Sequence, residues 1–180
     1  MCNGSVTVIS ADFSELEEDF LRITAETVFC TTTTVDEEGR PRSRMLHPIF
    51  VVCDGLPVGW ALTGRTHLKT RHLAANPHVS CSYWTPSHDT VFIDCVASWA
   101  EDERENEQVW ELFLNTPEPL GWGPDGLAGY GPDKWRNPIF TPLRLEPWRV
   151  QVMRGEEYPR GRLTGRVWHK TSTGATGRGA

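Results

Sequence analysis

The stretch VFCTTTTVDEEGRPRSRMLHPIFVVCDGLPVGWALT, residues 28–63, decides the fold class. Its first part, 28–35, is rich in Thr and Val, which fit a pleated surface. Asp36-Glu37-Glu38-Gly39 is a turn signal, and 42–52 reads as a second strand. Asp54-Gly55 marks another turn, and 58–63 reads as a third strand. Two hairpins in succession predict an antiparallel meander.

Working outward, residues 66–75 read as a short helix, capped by Thr66 and closed by Asn76-Pro77. Residues 79–84 and 91–99 read as strands around a Thr85-Pro86-Ser87 turn. Residues 102–114 read as a helix with an acidic start and Val109, Trp110, Leu112 and Phe113 on its buried side. Residues 140–145 and 149–153 read as two last strand segments, interrupted by Pro147. Near the start, Ser14 and Glu17 form a capping-box pattern, and Leu16, Phe20 and Ile23 recur at helical spacing. This order predicts a mainly β (α+β) fold, a small antiparallel barrel of about six strands with peripheral helices. We place one domain at 1–170 and a flexible tail at 171–180, where small polar residues offer no apolar anchor.

Composition narrows the function. At 180 residues the chain is long enough for one core without metals or disulfides. Eighteen Lys+Arg against 24 Asp+Glu give a net charge of −6, which excludes a surface that is basic throughout and made for nucleic acid. No apolar run approaches the roughly 20 residues of a membrane span. The start MCNGSVTVISADFSELEED lacks the basic segment and apolar run of a secretory signal, so we expect a cytoplasmic protein. The five cysteines are widely spaced and mostly inside apolar runs, as buried free thiols would be. There is no C-x-x-C pair, and no metal site is expected.

The charges are unevenly placed. Between Arg40 and His72 there are six Lys/Arg and one acid, Asp54, a local +5. Arg42 and Arg44 lie two apart on a strand and share a face. Lys69 falls in the first turn of the helix that begins near Thr66, where free N–H groups and the helix dipole favour an anion. A strand arginine beside a basic helix start suits a phosphorylated ligand, since arginine supplies a planar fork and lysine a point charge. The alternative is a solvated basic face. Residues 116–138 hold five Gly, five Pro, Trp122, Tyr130 and Trp135, a loop that either covers a site or pins itself to the body by its rings.

PRSRMLHPIF (41–50), WALTGRTHLKTRHLAANPHVSCSYW (60–84) and VFIDCVASWAED (91–102) together resemble the FMN-binding split β-barrel superfamily, the pyridoxamine 5'-phosphate oxidase-like proteins. The resemblance implies a homodimer with flavin sites at the subunit interface. It makes Arg44 the strand arginine near the flavin phosphate, with Arg42 beside it. Met45, Leu46 and His47 would follow the edge of the ring, Thr63 would end the third strand, and Lys69 would hold the phosphate. The family often has Ser-Arg-Lys where this chain has His67-Leu68-Lys69, so Arg65 or His67 is expected to replace the missing arginine. Trp84 and Thr90 fall where contacts from the partner subunit to the ring would arise.

The C-terminal region EPWRVQVMRGEEYPRGRLTGRVWHK (146–170) departs from the Arg-Leu-His-Asp-Arg segment of true pyridoxine phosphate oxidases, which disfavours vitamin B6 oxidation. The reading is therefore an FMN-dependent oxidoreductase of an unidentified small molecule. The alternatives are a deazaflavin-dependent reductase, whose long anionic tail would suit Arg65, Lys69 and Arg71, or a non-catalytic module binding flavin, haem or a protein partner.

Overall fold

The computed structural model describes residues 5–123, 130–160 and 162–170. The proposed tail at 171–180 and part of the 116–138 loop lie outside the described residues. The chain runs β1 (Ser5–Ser10), α1 (Phe13–Thr27), β2 (Cys30–Val35), β3 (Pro41–Leu46), β4 (Pro48–Cys53), β5 (Leu56–Leu62) and α2 (His67–Ala75). It continues as β6 (His78–Trp84), β7 (Thr90–Trp99), α3 (Glu103–Asn115), β8 (Pro142–Met153) and β9 (Arg162–His169). Short 3-10 segments occupy Gly131–Arg136 and Gly155–Arg160.

The strands form one nine-stranded sheet in the order β1-β9-β8-β7-β6-β2-β3, with β5 joining β8 to β4. It corrects the expectation of an antiparallel barrel of about six strands. The meander itself is present: β2 pairs antiparallel with β3, and β4 with β5. The added strands are β1 and β9, which pair in parallel and make the sheet mixed. Each is short, and the two are drawn from opposite ends of the chain, so no local turn signal announces their pairing.

Two further corrections have proline as their cause. The strand expected at 42–52 is two strands, broken at His47, because Pro48 has no N–H to extend the ladder. The two segments expected around Pro147 are one strand, β8. The ladder skips a residue there, with Cys95 opposite Pro147 and Asp94 opposite Arg149, so a bulge absorbs the proline. The first helix also starts earlier than its Ser14 pattern suggests. Asp12 is the cap, and its N–H donates to the Glu15 carboxylate at 2.9 Å.

Two clusters fill the interior. In the larger, Leu16, Phe20 and Ile23 of α1, each with no exposed surface, pack on the inner faces of β6, β7 and β8. In the smaller, Val109, Trp110 and Phe113 of α3 pack with Ile49 and Phe140. The tryptophans of the 116–138 loop join this second cluster. Trp122 meets Phe113 at 5.8 Å between ring centroids, and Tyr130 and Trp135 meet Trp110 at 5.6 and 6.4 Å. The described rings therefore pin the loop to α3.

Candidate functional site

The site grows from the end of the meander. Thr66 caps α2, its side chain accepting the Lys69 N–H at 3.4 Å. That start aims Lys69 back at the end of β5, where Nζ donates to Thr63 Oγ1 at 2.5 Å. From β3, Arg44 reaches across to β2 and donates to Thr34 Oγ1 at 2.8 Å. Arg44, Thr63 and Lys69 thus gather at one place, as the sequence pattern anticipates.

The electrostatics there are unusual for this molecule. Nine described arginines sit in ion pairs. Arg44 and Lys69 have no carboxylate partner among the described residues; each donates to a threonine hydroxyl instead. Burial lowers the Arg44 pKa. The Lys69 pKa is lowered by burial and then by the positive charge of Arg44. Two half-buried cations that repel each other are a cost to the fold, and an anion placed between them removes it.

The other expected residues divide into two groups. Met45 follows Arg44 on β3 and projects from the opposite face. There it lines a cavity of about 320 Å³ with Trp84 and Thr90. Phe29, Thr31 and Phe92 complete much of the wall, and no lining residue carries a charge. Trp84 and Thr90 stand directly opposite each other on β6 and β7. Trp84 is exposed, whereas Thr90 is buried and its hydroxyl has no hydrogen-bond partner among the described residues. Leu46 turns its side chain into the large core. Arg42 is exposed on the same face as Arg44.

Arg65 and His67 border a separate groove of about 550 Å³ with Arg71. Arg65 is already engaged: it pairs with Glu101 at 3.0 Å and lies 5.3 Å above the Trp99 ring. Arg71 faces Glu37 at 3.8 Å. His47 is half-buried between the Phe29 and Phe113 rings, at 5.2 and 6.2 Å. Its Nε2–H donates to the Leu120 carbonyl at 2.6 Å, which ties the β3–β4 junction to the start of the long loop.

Sequence reasoning missed Thr34 and His72. Both are about 1% exposed, and Thr34 Oγ1 lies 3.0 Å from His72 Nδ1. The signal in the sequence was slight. Thr34 is one of four consecutive threonines, and His72 stands three residues after Lys69, on the same helix face.

Comparison with known proteins places this geometry. The family profile described as pyridoxamine 5'-phosphate oxidase matches residues 16–117, more than half of the chain. The chain belongs to the pyridoxamine 5'-phosphate oxidase family. The matched segment carries both cations and the meander that positions them. Solved structures share the fold. One is a pyridoxamine 5'-phosphate oxidase-related, FMN-binding protein from Nostoc punctiforme, 14% identical, covering 90% of this chain and 92% of that one with a TM-score of 0.61. Another, from Clostridium acetobutylicum, is related to general stress protein 26 of B. subtilis and is 18% identical, covering 80% and 91% with a TM-score of 0.59. The general stress protein 26 of Bacillus anthracis is 13% identical, covering 76% and 93% with a TM-score of 0.51. No curated protein matches the chain.

Proposed function

We propose that this protein binds FMN and acts as an oxidoreductase on a small molecule, with Arg44 and Lys69 holding the cofactor phosphate. The observation that carries this reading is the unneutralised pair of cations at the junction of β3, β5 and α2. Arginine gives the phosphate a planar fork, lysine a point charge, and the capped start of α2 adds its dipole. Arg42, exposed beside Arg44, adds long-range attraction. Beyond the phosphate, a ribityl chain would pass along β3. Among the described residues that strand pairs only with β2, so its other edge would leave backbone groups of the Met45–His47 stretch for the ring's polar rim. Bound flavin accepts and donates electrons, and the protein binds it, orients it and sets its surroundings.

A deazaflavin coenzyme is the weaker reading. Its longer anionic tail would draw on Arg65 and Arg71, and both already face glutamates. We place a second copy of the chain over the face that exposes Phe29, Met45 and Trp84, which are 54%, 59% and 59% exposed. Trp84 and Thr90 would then serve the partner's cofactor. No helix among the described residues is long and apolar enough to cross a membrane.

The test is to release the ligand from purified protein and identify it by absorption and mass spectrometry. FMN is expected, and Arg44→Ala with Lys69→Ala should abolish its retention. Absence of FMN binding, or retention by the double variant, overturns the reading.

A further inference from the structure

Arg44 is held by more than its strand. Its guanidinium can only donate, so Thr34 Oγ1 accepts that bond at 2.8 Å. The threonine proton then needs an acceptor of its own. Thr34 is about 1% exposed, out of reach of bulk water, and the group beside its hydroxyl is His72 Nδ1 at 3.0 Å. The arrangement that gives the guanidinium, the hydroxyl and Nδ1 each a partner runs one way. Arg44 donates to Thr34, and Thr34 donates to His72, which accepts at Nδ1 and carries its proton on Nε2.

His72 belongs to α2, three residues after Lys69, so both point from one side of the helix. The Thr34–His72 bond therefore joins the helix that carries one cation to the strand that orients the other. We propose that Thr34 and His72 are positioning residues, a buried joint that fixes Arg44 relative to Lys69 and so sets how tightly the cofactor phosphate is held. This rests on the reading of the site as an FMN phosphate seat. Neither residue is asked to touch the ligand.

Titrations of FMN and of riboflavin, which lacks the phosphate, test the joint by fluorescence quenching. Thr34→Val keeps the shape and removes the hydroxyl. It should weaken FMN roughly tenfold, as loss of a hydrogen bond to a charged group does, and leave riboflavin unchanged. Thr34→Ser should restore FMN affinity. His72→Asn, which keeps an acceptor near the Nδ1 position, should bind FMN nearly as the natural protein does, whereas His72→Phe should not. Equal weakening of FMN and riboflavin marks a merely structural role and overturns the joint. So does a Thr34→Val protein whose preference for FMN is intact while Arg44→Ala has lost it. If Arg44→Ala and Lys69→Ala also leave that preference intact, the phosphate seat itself falls, and the joint with it.

Discussion

Asp19 on α1 and Arg166 on β9 meet at 2.8 Å across 147 residues of sequence. The same carboxylate oxygen of Asp19 accepts from Arg154 at 2.8 Å, and its other oxygen faces Arg22 at 3.3 Å. Arg22 then reaches Asp89 at 3.0 Å, which also accepts the Gly155 N–H at 2.7 Å. This network fastens the first helix to the last two strands and to the turn between β6 and β7.

Burial tends to raise the Asp19 pKa, but hydrogen bonds from Arg154, Arg166 and Arg22 outweigh it and hold the carboxyl below its ordinary value. Asp89 is lowered in the same way, its burial outweighed by the Gly155 N–H and Arg22. At the β2–β3 turn, burial is again outweighed, and Arg40 with its backbone N–H brings Asp36 down to about 2. A carboxyl whose pKa falls on folding stabilises the fold above its unfolded pKa and loses that contribution as pH drops through the folded one. The carboxyl contribution should therefore be constant above about pH 5, and urea midpoints should fall steeply from about pH 4 toward 2. Asp19→Ala should cost roughly 2–3 kcal/mol at neutral pH, less than a fully buried pair would because its arginines are partly exposed. It should also blunt the acid loss.

His47 gives a second pH dependence. Burial lowers its pKa from 6.5, and its hydrogen bond to Leu120 opposes that shift only in part. The folded state therefore prefers neutral His47, and its contribution is present above the unfolded pKa and lost as pH falls toward the folded one. Stability should decline from about pH 7 downward, ahead of the carboxyl region. His47→Gln keeps a donor near the Leu120 carbonyl and removes the titration, so chemical denaturation should show that first decline flattened.

The described thiols predict a labelling pattern. Cys30, Cys81 and Cys95 have no exposed surface, while Cys53 is exposed at the β4–β5 turn. Contact with Cys81, and then burial, push the Cys30 thiol far above its usual range. A short iodoacetamide pulse on folded protein, read by peptide mapping, should modify Cys53 and spare these three. Modification of all four at similar rates would mean that the β2–β6–β7 face opens readily.

Much of the site was legible because its logic is local. Lys69 lies three residues past a threonine cap, and Arg44 lies on a strand fixed by turns on either side. These relations span few residues and obey helix and strand geometry. Thr34 and His72 were not legible, because their 3.0 Å contact joins residues 38 apart and exists only once α2 lies against β2. The same holds for Arg65, whose place in a basic run suggested a phosphate contact until Glu101 was brought beside it.

The sequence by itself determined the meander, the three helices, the buried faces of the first and last of them, and a basic cluster inside an acidic chain. Periodicity, capping and turn chemistry act over a few neighbours, and they leave their mark in order along the chain. Only the tertiary structure decided that β1 and β9 pair in parallel, that the loop tryptophans pack on α3, and which cations stay without an acid. The net charge of −6 is a sum over all charges. Binding depends on which of those charges the fold leaves unpaired, and the fold leaves Arg44 and Lys69 side by side.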